Sequence, residues 1–261
     1  MNITAVITTC NRLNKLKKAV KSVENQVFLP NELIIVDDNS HDGTQEYCEN
    51  LKEVSKIPII YFRNNFRVGS NVCRNQAIER ASGEYIAFLD DDDEWFPEKL
   101  RIQYETVKKE NADLVYTGVK MTDSGRKKIY FHNPFPFTPK FAIMFGNFVG
   151  ITSTMMIKSE MLKETGGFDC SIPSLQDYEL IIRLINNNAN VKGIKIPLVE
   201  YGSTNNKNVS VSSRNFFKAS KIILKKSPII YRPLQFIGLL RIFSQKLIKT
   251  ENFRENLFRF S

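Results

Sequence analysis

Four consecutive aspartates, Asp90 to Asp93, close an apolar run of Tyr85, Ile86, Ala87, Phe88 and Leu89. Adjacent carboxylates repel one another, and beside a core they are costly unless positive charge sits among them. In an extended chain residues two apart point the same way, so Asp90 and Asp92 share one face. Two such oxygen donors suit a hard divalent cation, and Mg²⁺ or Mn²⁺ would in turn hold a diphosphate. A solvated acidic loop is the plain alternative. Position argues for the metal. A run apolar on both faces reads as a buried parallel strand, and open α/β sheets bind their ligands at the carboxyl ends of such strands.

A second acid pair, Asp37-Asp38, closes the run Leu33 to Val36 in the same way. There a carboxylate can accept from a base N–H or a ribose hydroxyl; helix capping or a turn is the alternative. Asp177 opens a helical stretch after Leu175-Gln176, where the helix dipole favours an acid. Local sequence by itself assigns it no more than that. Arg74 lies on a helical stretch leading towards the acids and can pair with phosphate or base, or be an ordinary surface charge. His41 and His132 carry no partner signature.

The elements that must position these side chains alternate. Ile3 to Thr9 is a β-branched run, hence a strand, and Leu13 to Val27 repeats apolar residues with a helical period. Leu33 to Val36 is a strand, and the turn Asn39 to Thr44 supplies helix caps for a helix to about Val54. Ile57 to Phe62 is a strand, Asn71 to Ala81 a helix, and the Tyr85 strand follows. This β-α-β-α-β-α-β order predicts an α/β fold with a doubly wound, mostly parallel sheet. Beyond it, Pro97 opens a helix to about Glu110. Ala112 to Met121 and Lys127 to Phe131 read as a hairpin, and Val149 to Ile157 reads as another strand. Pro134 to Pro139, with Phe135 and Phe137, reads as a loop lying over a site. Gly166 to Asp169 makes a tight turn.

The 261 residues, 42% hydrophobic, suffice for one large core with an appendage. The net charge of +9 is concentrated at one end. From Lys207 onward lie 12 of the 37 Lys+Arg and 2 of the 28 Asp+Glu, so the first 206 residues hold 25 and 26. The chain therefore divides into a domain, residues 1–206, and a basic helical tail, residues 207–261. Basic amphipathic helices lie on anionic membrane surfaces; packing on the domain or on a homodimer partner is the alternative. The sequence suggests that residues around Phe216 to Leu224 pack and that those beyond Tyr231 meet the membrane. The longest uncharged window, Phe141 to Ile157, is too rich in Gly, Asn, Ser and Thr to span one. Cys10, Cys48, Cys73 and Cys170 form no C-x-x-C pair, so a reducing, cytoplasmic compartment is expected. No leader peptide is legible at the N-terminus.

Six segments in order resemble the family 2 glycosyltransferases, inverting nucleotide-sugar enzymes with the GT-A fold. They are residues 5–12 (AVITTCNR), 32–44 (ELIIVDDNSHDGT), 69–78 (GSNVCRNQAI), 83–95 (GEYIAFLDDDDEW), 166–169 (GGFD) and 176–180 (QDYEL). The resemblance implies that Thr8, Cys10, Asp38 and Arg74 contact the nucleotide. It implies that Asp90, Asp91 and Asp92 form a D-x-D motif, with Asp90 and Asp92 on a Mn²⁺ or Mg²⁺ ion, Asp92 foremost, and Asp91 towards the nucleotide. Asp177 falls at the catalytic base, with Glu179 next in line. Trp95 and the Phe135/Phe137 loop could stack on a sugar ring; core packing is the alternative for Trp95. Gln176 stands where Glu is frequent and Cys10 where Tyr is usual. The Gln-x-x-Arg-Trp motif of processive synthases is absent, since Trp95 is the single tryptophan.

The implied reaction is a metal-dependent, inverting, non-processive transfer from a nucleotide-sugar, UDP-linked by commonest usage, to a hydroxyl of a glycan or lipid-linked acceptor. A nucleotidylyltransferase would need a glycine-rich loop with Lys that is missing here. A dehydrogenase would need G-x-G-x-x-G where the chain has Thr8-Thr9-Cys10-Asn11. A nucleotide- or nucleic-acid-binding module without transferase activity is what the basic tail alone permits. It leaves the acidic strand ends unexplained, so no nucleic acid is expected as a partner.

Overall fold

The computed structural model describes residues 2–123, 126–130, 139–202, 212–227 and 229–250. Strand β1 (Ile3–Thr9) is followed by α1 (Leu13–Glu24), β2 (Glu32–Asp37), α2 (Thr44–Val54), β3 (Ile59–Arg63), α3 (Ser70–Arg80) and β4 (Tyr85–Asp90). The expected alternation is present. β1 pairs in parallel with β2 on one side and β4 on the other, and β3 joins β2. The order β3-β2-β1-β4 reverses direction at β1, and sheets of this kind bind their ligands at such a point, at the carboxyl ends of the strands. Register sets Thr8 beside Asp90 and Thr9 beside Asp37.

The apolar runs in these strands follow from burial on both faces. Val6, Ile34, Val36, Ile86 and Phe88 face one apolar cluster; Ile3, Ala5, Ile7, Leu33, Ile35, Ala87 and Leu89 face the other. Period-2 alternation sends neighbours to opposite faces, so each layer of helices finds an apolar surface. α1 and α2 cover one face through Leu16, Val20, Val23, Cys48 and Leu51. α3 covers the opposite face through Cys73, Ala77 and Ile78.

The sheet continues with mixed direction. After β5 (Glu94–Trp95) and α4 (Lys99–Glu110) come β6 (Leu114–Asp123), β7 (Arg126–Tyr130) and α5 (Pro139–Ala142). Then follow β8 (Met156–Lys158), α6 (Ser159–Glu164), α7 (Gln176–Asn186) and β9 (Val191–Tyr201). β8 runs antiparallel to both β4 and β6, β9 is parallel to β6, and β5 is antiparallel to β9. β6 and β7 form the expected hairpin.

The strand expected over 149–157 is reduced to β8, preceded by a 3₁₀ turn at Thr152–Thr154. Short hydroxyls offer the backbone local partners that compete with a ladder. Thr154 Oγ1 donates to the carbonyls of Val149 and Ile151.

The tail is α8 (Ser213–Lys226), a short 3₁₀ turn over 229–231, and α9 (Arg232–Thr250). Phe216, Ala219 and Ile223 of α8 and Leu239 of α9 enter the same cluster as α3 and α7. An isolated 14-residue helix is marginal in water, whereas each fully buried Phe, Ile or Leu contributes about 1.5–3 kcal/mol. Packing therefore holds α8 and part of α9, and a boundary at residue 206 does not separate two cores. Among the described residues no helix is long and apolar enough to cross a membrane.

Candidate active site

The acidic turn after β4 is held by basic side chains from two directions. Arg74, reaching from α3, donates through Nη2 to Asp90 Oδ1 at 2.6 Å. Arg12, just before α1, donates through Nη1 to Asp91 Oδ1 at 2.9 Å and Asp92 Oδ2 at 3.2 Å. Lys15 Nζ lies 3.9 Å from Asp92 Oδ2. Thr9 at the end of β1 donates to Asp91 Oδ2 at 2.8 Å. The sequence reading missed Thr9, Arg12 and Lys15. Their partners stand some 80 positions away in the chain, and only the parallel pairing of β1 with β4 brings them together.

Asp93 does different work from its three neighbours. Its carboxylate accepts from Ser153 Oγ at 2.5 Å and from the Gly202 amide at 3.0 Å. The Ser153 hydroxyl also accepts from the Asp90 amide at 3.0 Å. Burial, then the Asp90 charge, drives the Asp93 carboxyl well above the usual range. It is a buried brace for the turn. A side chain on Gly202 would run into the Asp92 carbonyl oxygen, so glycine is required by close approach of two backbones. Gly202→Ala is expected to cost about 1–3 kcal/mol through overpacking, read as a lowered Tm; an unchanged Tm would show that the 202 backbone can move aside.

Asp91 is pushed up to about 6, chiefly by burial, with the Arg12 charge and the bonds from Thr9 and Arg12 offsetting only part. Burial and the Asp90 charge likewise raise Asp92. An acid whose folded value exceeds its unfolded one binds more protons folded than unfolded between the two. Its contribution to stability is thus full below about pH 4 and lost as pH rises through about 6. Without added metal, wild type should lose Tm relative to Asp91→Asn between about pH 4.5 and pH 7. Parallel curves for the two proteins would remove Asp91 as the titrating group.

Asp38 is buried, and its carboxylate accepts from the amides of Val68 at 2.7 Å and Gly69 at 3.0 Å. It thereby fixes the entry to α3, where Gly69 has φ 93°. Asp37 is fully buried and takes up the turn alternative: Ser40 N–H and the Tyr61 hydroxyl both donate to it at 2.9 Å. Cys10 sits beside Asp38, its Sγ donating to the Asp38 carbonyl at 3.1 Å, and burial raises its thiol. Thr8 is half-buried at the end of β1. Around the next turn, Ser40, His41, Gly43, Gln45, Glu46, Glu49 and Arg63 line an open cleft of about 530 Å³.

Trp95 is corrected as a sugar contact. It is 4% exposed, its indole N–H donates to the Ser153 carbonyl at 3.0 Å, and Lys99 Nζ lies 4.1 Å from its ring centroid. It offers no face to a sugar ring. Phe135 and Phe137 lie outside the described residues.

Asp177 is the second residue of α7, and its Oδ1 accepts from the Tyr178 amide at 2.8 Å. The residue before α7, Leu175, holds a left-handed conformation (φ 62°, ψ 31°) with its side chain buried. Such strain in a non-glycine residue persists where packing over-determines it. The 166–169 loop leading to α7 is fastened to α3. Asn75 exchanges hydrogen bonds with the Phe168 backbone at 2.7 and 2.8 Å, and Asn71 donates to the Asp169 carbonyl at 2.8 Å. Arg74 stacks 5.2 Å from the Phe168 ring centroid while its tip holds Asp90. The acidic turn and the approach to α7 thus share one helix as support. Glu179 is excluded as a substitute base. It is buried, bound through both oxygens by Arg183, and joined by Lys226 at 2.9 Å. Lys226 of α8 also pairs with Asp169, whose carboxyl is depressed to about 2 although burial opposes it.

Among the described residues no group of three or more His, Cys, Asp or Glu is arranged to hold a metal. The donor set nevertheless fits a hard cation. Carboxylate oxygens of Asp90 and Asp92 crowd one turn, and the carboxyl of Asp92 is raised by burial and by Asp90, a repulsion that added positive charge relieves.

Residues 4–166 match the model of a family described as Glycosyl transferase family 2. The chain is 30% identical over 243 residues to a putative teichuronic acid biosynthesis glycosyltransferase, TuaG, of Bacillus subtilis, covering 92% of this chain and 90% of that one. In structure it is similar to S. aureus TarS 1-349 in complex with UDP-GlcNAc, with a TM-score of 0.76 and 19% identity, covering 94% of this chain and 73% of that one. It is also similar to the mannosyltransferase PcManGT of Pyrobaculum calidifontis in complex with GDP-Man and Mn²⁺. There the TM-score is 0.68 and the identity 15%, covering 95% of this chain and 74% of that one.

Proposed function

Because the chain belongs to glycosyl transferase family 2, we propose that it transfers one sugar per encounter, with inversion and with a divalent cation, from a UDP-sugar to a hydroxyl of a glycan or lipid-linked acceptor. It is a glycosyltransferase with the GT-A type of fold. The observation that supports the finer reading is that Asp90 to Asp92 lie at the carboxyl end of β4, beside the point where the order of the parallel strands reverses. Its four cysteines are free, which fits a reducing cytoplasm.

Asp90 and Asp92 would hold the Mn²⁺ or Mg²⁺ ion. When bound, such an ion acts as a Lewis acid on the departing diphosphate, so no protein acid is needed to protonate it. Arg12 is 46% exposed on its side chain, and with Lys15 it can turn from the acids to the phosphates as donor enters. Thr8 and Cys10, at the β1 end, flank the nucleotide. Asp38 shapes the same wall by fixing the Val68-Gly69 backbone, and Arg74 keeps Asp90 in place. Asp177 takes the proton from the acceptor hydroxyl at a carboxylate oxygen. Attack from the face opposite the leaving diphosphate inverts the anomeric centre. A glycosidase would instead need two carboxylates flanking the bond.

Nucleotide release across UDP-, GDP- and dTDP-sugars tests the donor class. Release from UDP-sugars above the others, dependent on Mn²⁺ or Mg²⁺, is the expected result. Equal inertness towards all three would overturn the donor reading.

A further inference from the structure

The outer surface of the C-terminal helices is unlike that of the remaining molecule. α9 buries Gln235, Leu239 and the Gly238 backbone, which sits so close to the Met144 carbonyl that a side chain there would collide. Its opposite face leaves Phe236, Ile237 and Leu240 about half exposed, and the turn before it leaves Ile229 and Ile230 each 77% exposed. At 100° per residue, Pro233, Phe236, Ile237 and Leu240 fall within an arc of about 100°. Arg232 and Arg241 stand about 90° to either side of its centre.

The charge on the helices that carry this arc is of one sign. Between Lys207 and Thr250 there is no Asp or Glu, against ten Lys+Arg. Lys218, Lys221 and Lys225 are exposed on α8, which packs against α9 through Phe216 and Phe243. Arg232 is tied back to the Ser227 and Lys225 carbonyls, so the turn carrying Ile229 and Ile230 is pinned with its apolar side chains outward. A protein partner for a face this basic would need a strongly acidic rim, and a second copy would set like charges opposite one another. A bilayer with anionic headgroups supplies both a plane of negative charge and an apolar layer beneath it, and long basic side chains at the rim reach the headgroups.

We propose that the face formed by residues 229–241, ringed by the basic residues of α8 and α9, docks the protein flat on an anionic lipid bilayer. The inner face of the same helices stays in the protein core, so docking needs no unfolding. This goes beyond the sugar-transfer reading and stands whichever donor the enzyme takes.

The test is flotation of the full chain with vesicles of neutral lipid or of neutral lipid containing about a third phosphatidylglycerol, at low and high salt. Binding is expected to the anionic vesicles only, and to weaken as salt screens the basic rim. Phe236→Ser with Leu240→Ser should reduce that binding by at least about tenfold, while Tm and donor hydrolysis stay as in wild type. Should that double variant fold poorly, Phe236→Trp gives an independent reading, since Trp95 is buried and supplies only background. Brominated anionic lipids should quench the new indole. No quenching, equal and salt-insensitive binding to both vesicles, or a concentration-dependent dimer dispersed by the double variant without vesicle binding would each overturn the proposal.

Discussion

Asp92→Asn is expected to remove nearly all sugar transfer while leaving the fold at least as stable as before. The two halves of that result have one physical origin. Asp92 sits in a crowded acidic turn, its carboxyl raised by burial and by Asp90. Removing its charge relieves repulsion, and it weakens only the pairing with Arg12 at 3.2 Å and Lys15 at 3.9 Å, both partly exposed side chains. Such exposed pairs contribute about 0–1 kcal/mol. The functional loss is of another order. A cation on a departing diphosphate supplies several kcal/mol of transition-state stabilisation, and each ~1.4 kcal/mol is tenfold in rate. A drop of about 10²–10⁴-fold follows, with Tm unchanged or raised. In wild type, EDTA should remove activity and Mn²⁺ or Mg²⁺ restore it. Full turnover in chelator would end the metal assignment, and a lowered Tm in Asp92→Asn would mean that the residue serves the fold.

The contrast between Asp92 and Asp93 shows where the sequence stops being readable. Four identical residues in a row carry no local mark of which face the site and which the core. Asp93 is a brace only because Ser153 and the Gly202 amide, 60 and 109 positions away, arrive at it. The parallel half of the sheet was legible because strands buried on both faces are apolar or β-branched along most of their length, as in β1, β2 and β4. β9 escaped notice for the opposite reason. It mixes Lys192, Lys195 and Pro197 with apolar residues and leaves Ile196 45% exposed, so neither a continuous run nor a clean alternation marks it. Trp95 illustrates a related ambiguity. An aromatic leaving an acidic turn suits a sugar platform, yet the Ser153 carbonyl and a buried Lys99 take up its polar edge and face. Asp38, which the resemblance implies as a nucleotide contact, has its carboxylate committed to the Val68 and Gly69 amides, a backbone role that no side-chain pattern announces.

Asp177→Asn separates chemistry from binding. The amide keeps the size of the carboxylate and its carbonyl can still accept from the Tyr178 amide, so the first turn of α7 retains its geometry. What the amide cannot do is take a proton. A positioned general base contributes about 10²–10⁴-fold, and transfer should fall by that amount with nucleotide-sugar affinity unchanged. Tm should change little as well, because the interaction of an acid with the helix N-terminus contributes about 0.3–1 kcal/mol. The neighbouring acid cannot compensate. Glu179 is buried and has its oxygens committed to Arg183 and Lys226, and freeing it would take that carboxylate from both cations. Glu179→Gln is therefore the informative control: it should lower Tm, since hydrogen bonds from cations to a buried carboxylate contribute about 1.5–3 kcal/mol, while the protein that remains folded keeps its transfer rate per site. The pair of variants gives opposite signatures, activity without stability for Asp177 and stability without activity for Glu179. If Asp177→Asn transferred sugar at the wild-type rate, the base would have to be sought away from α7, because the one other acid in its first turns is locked.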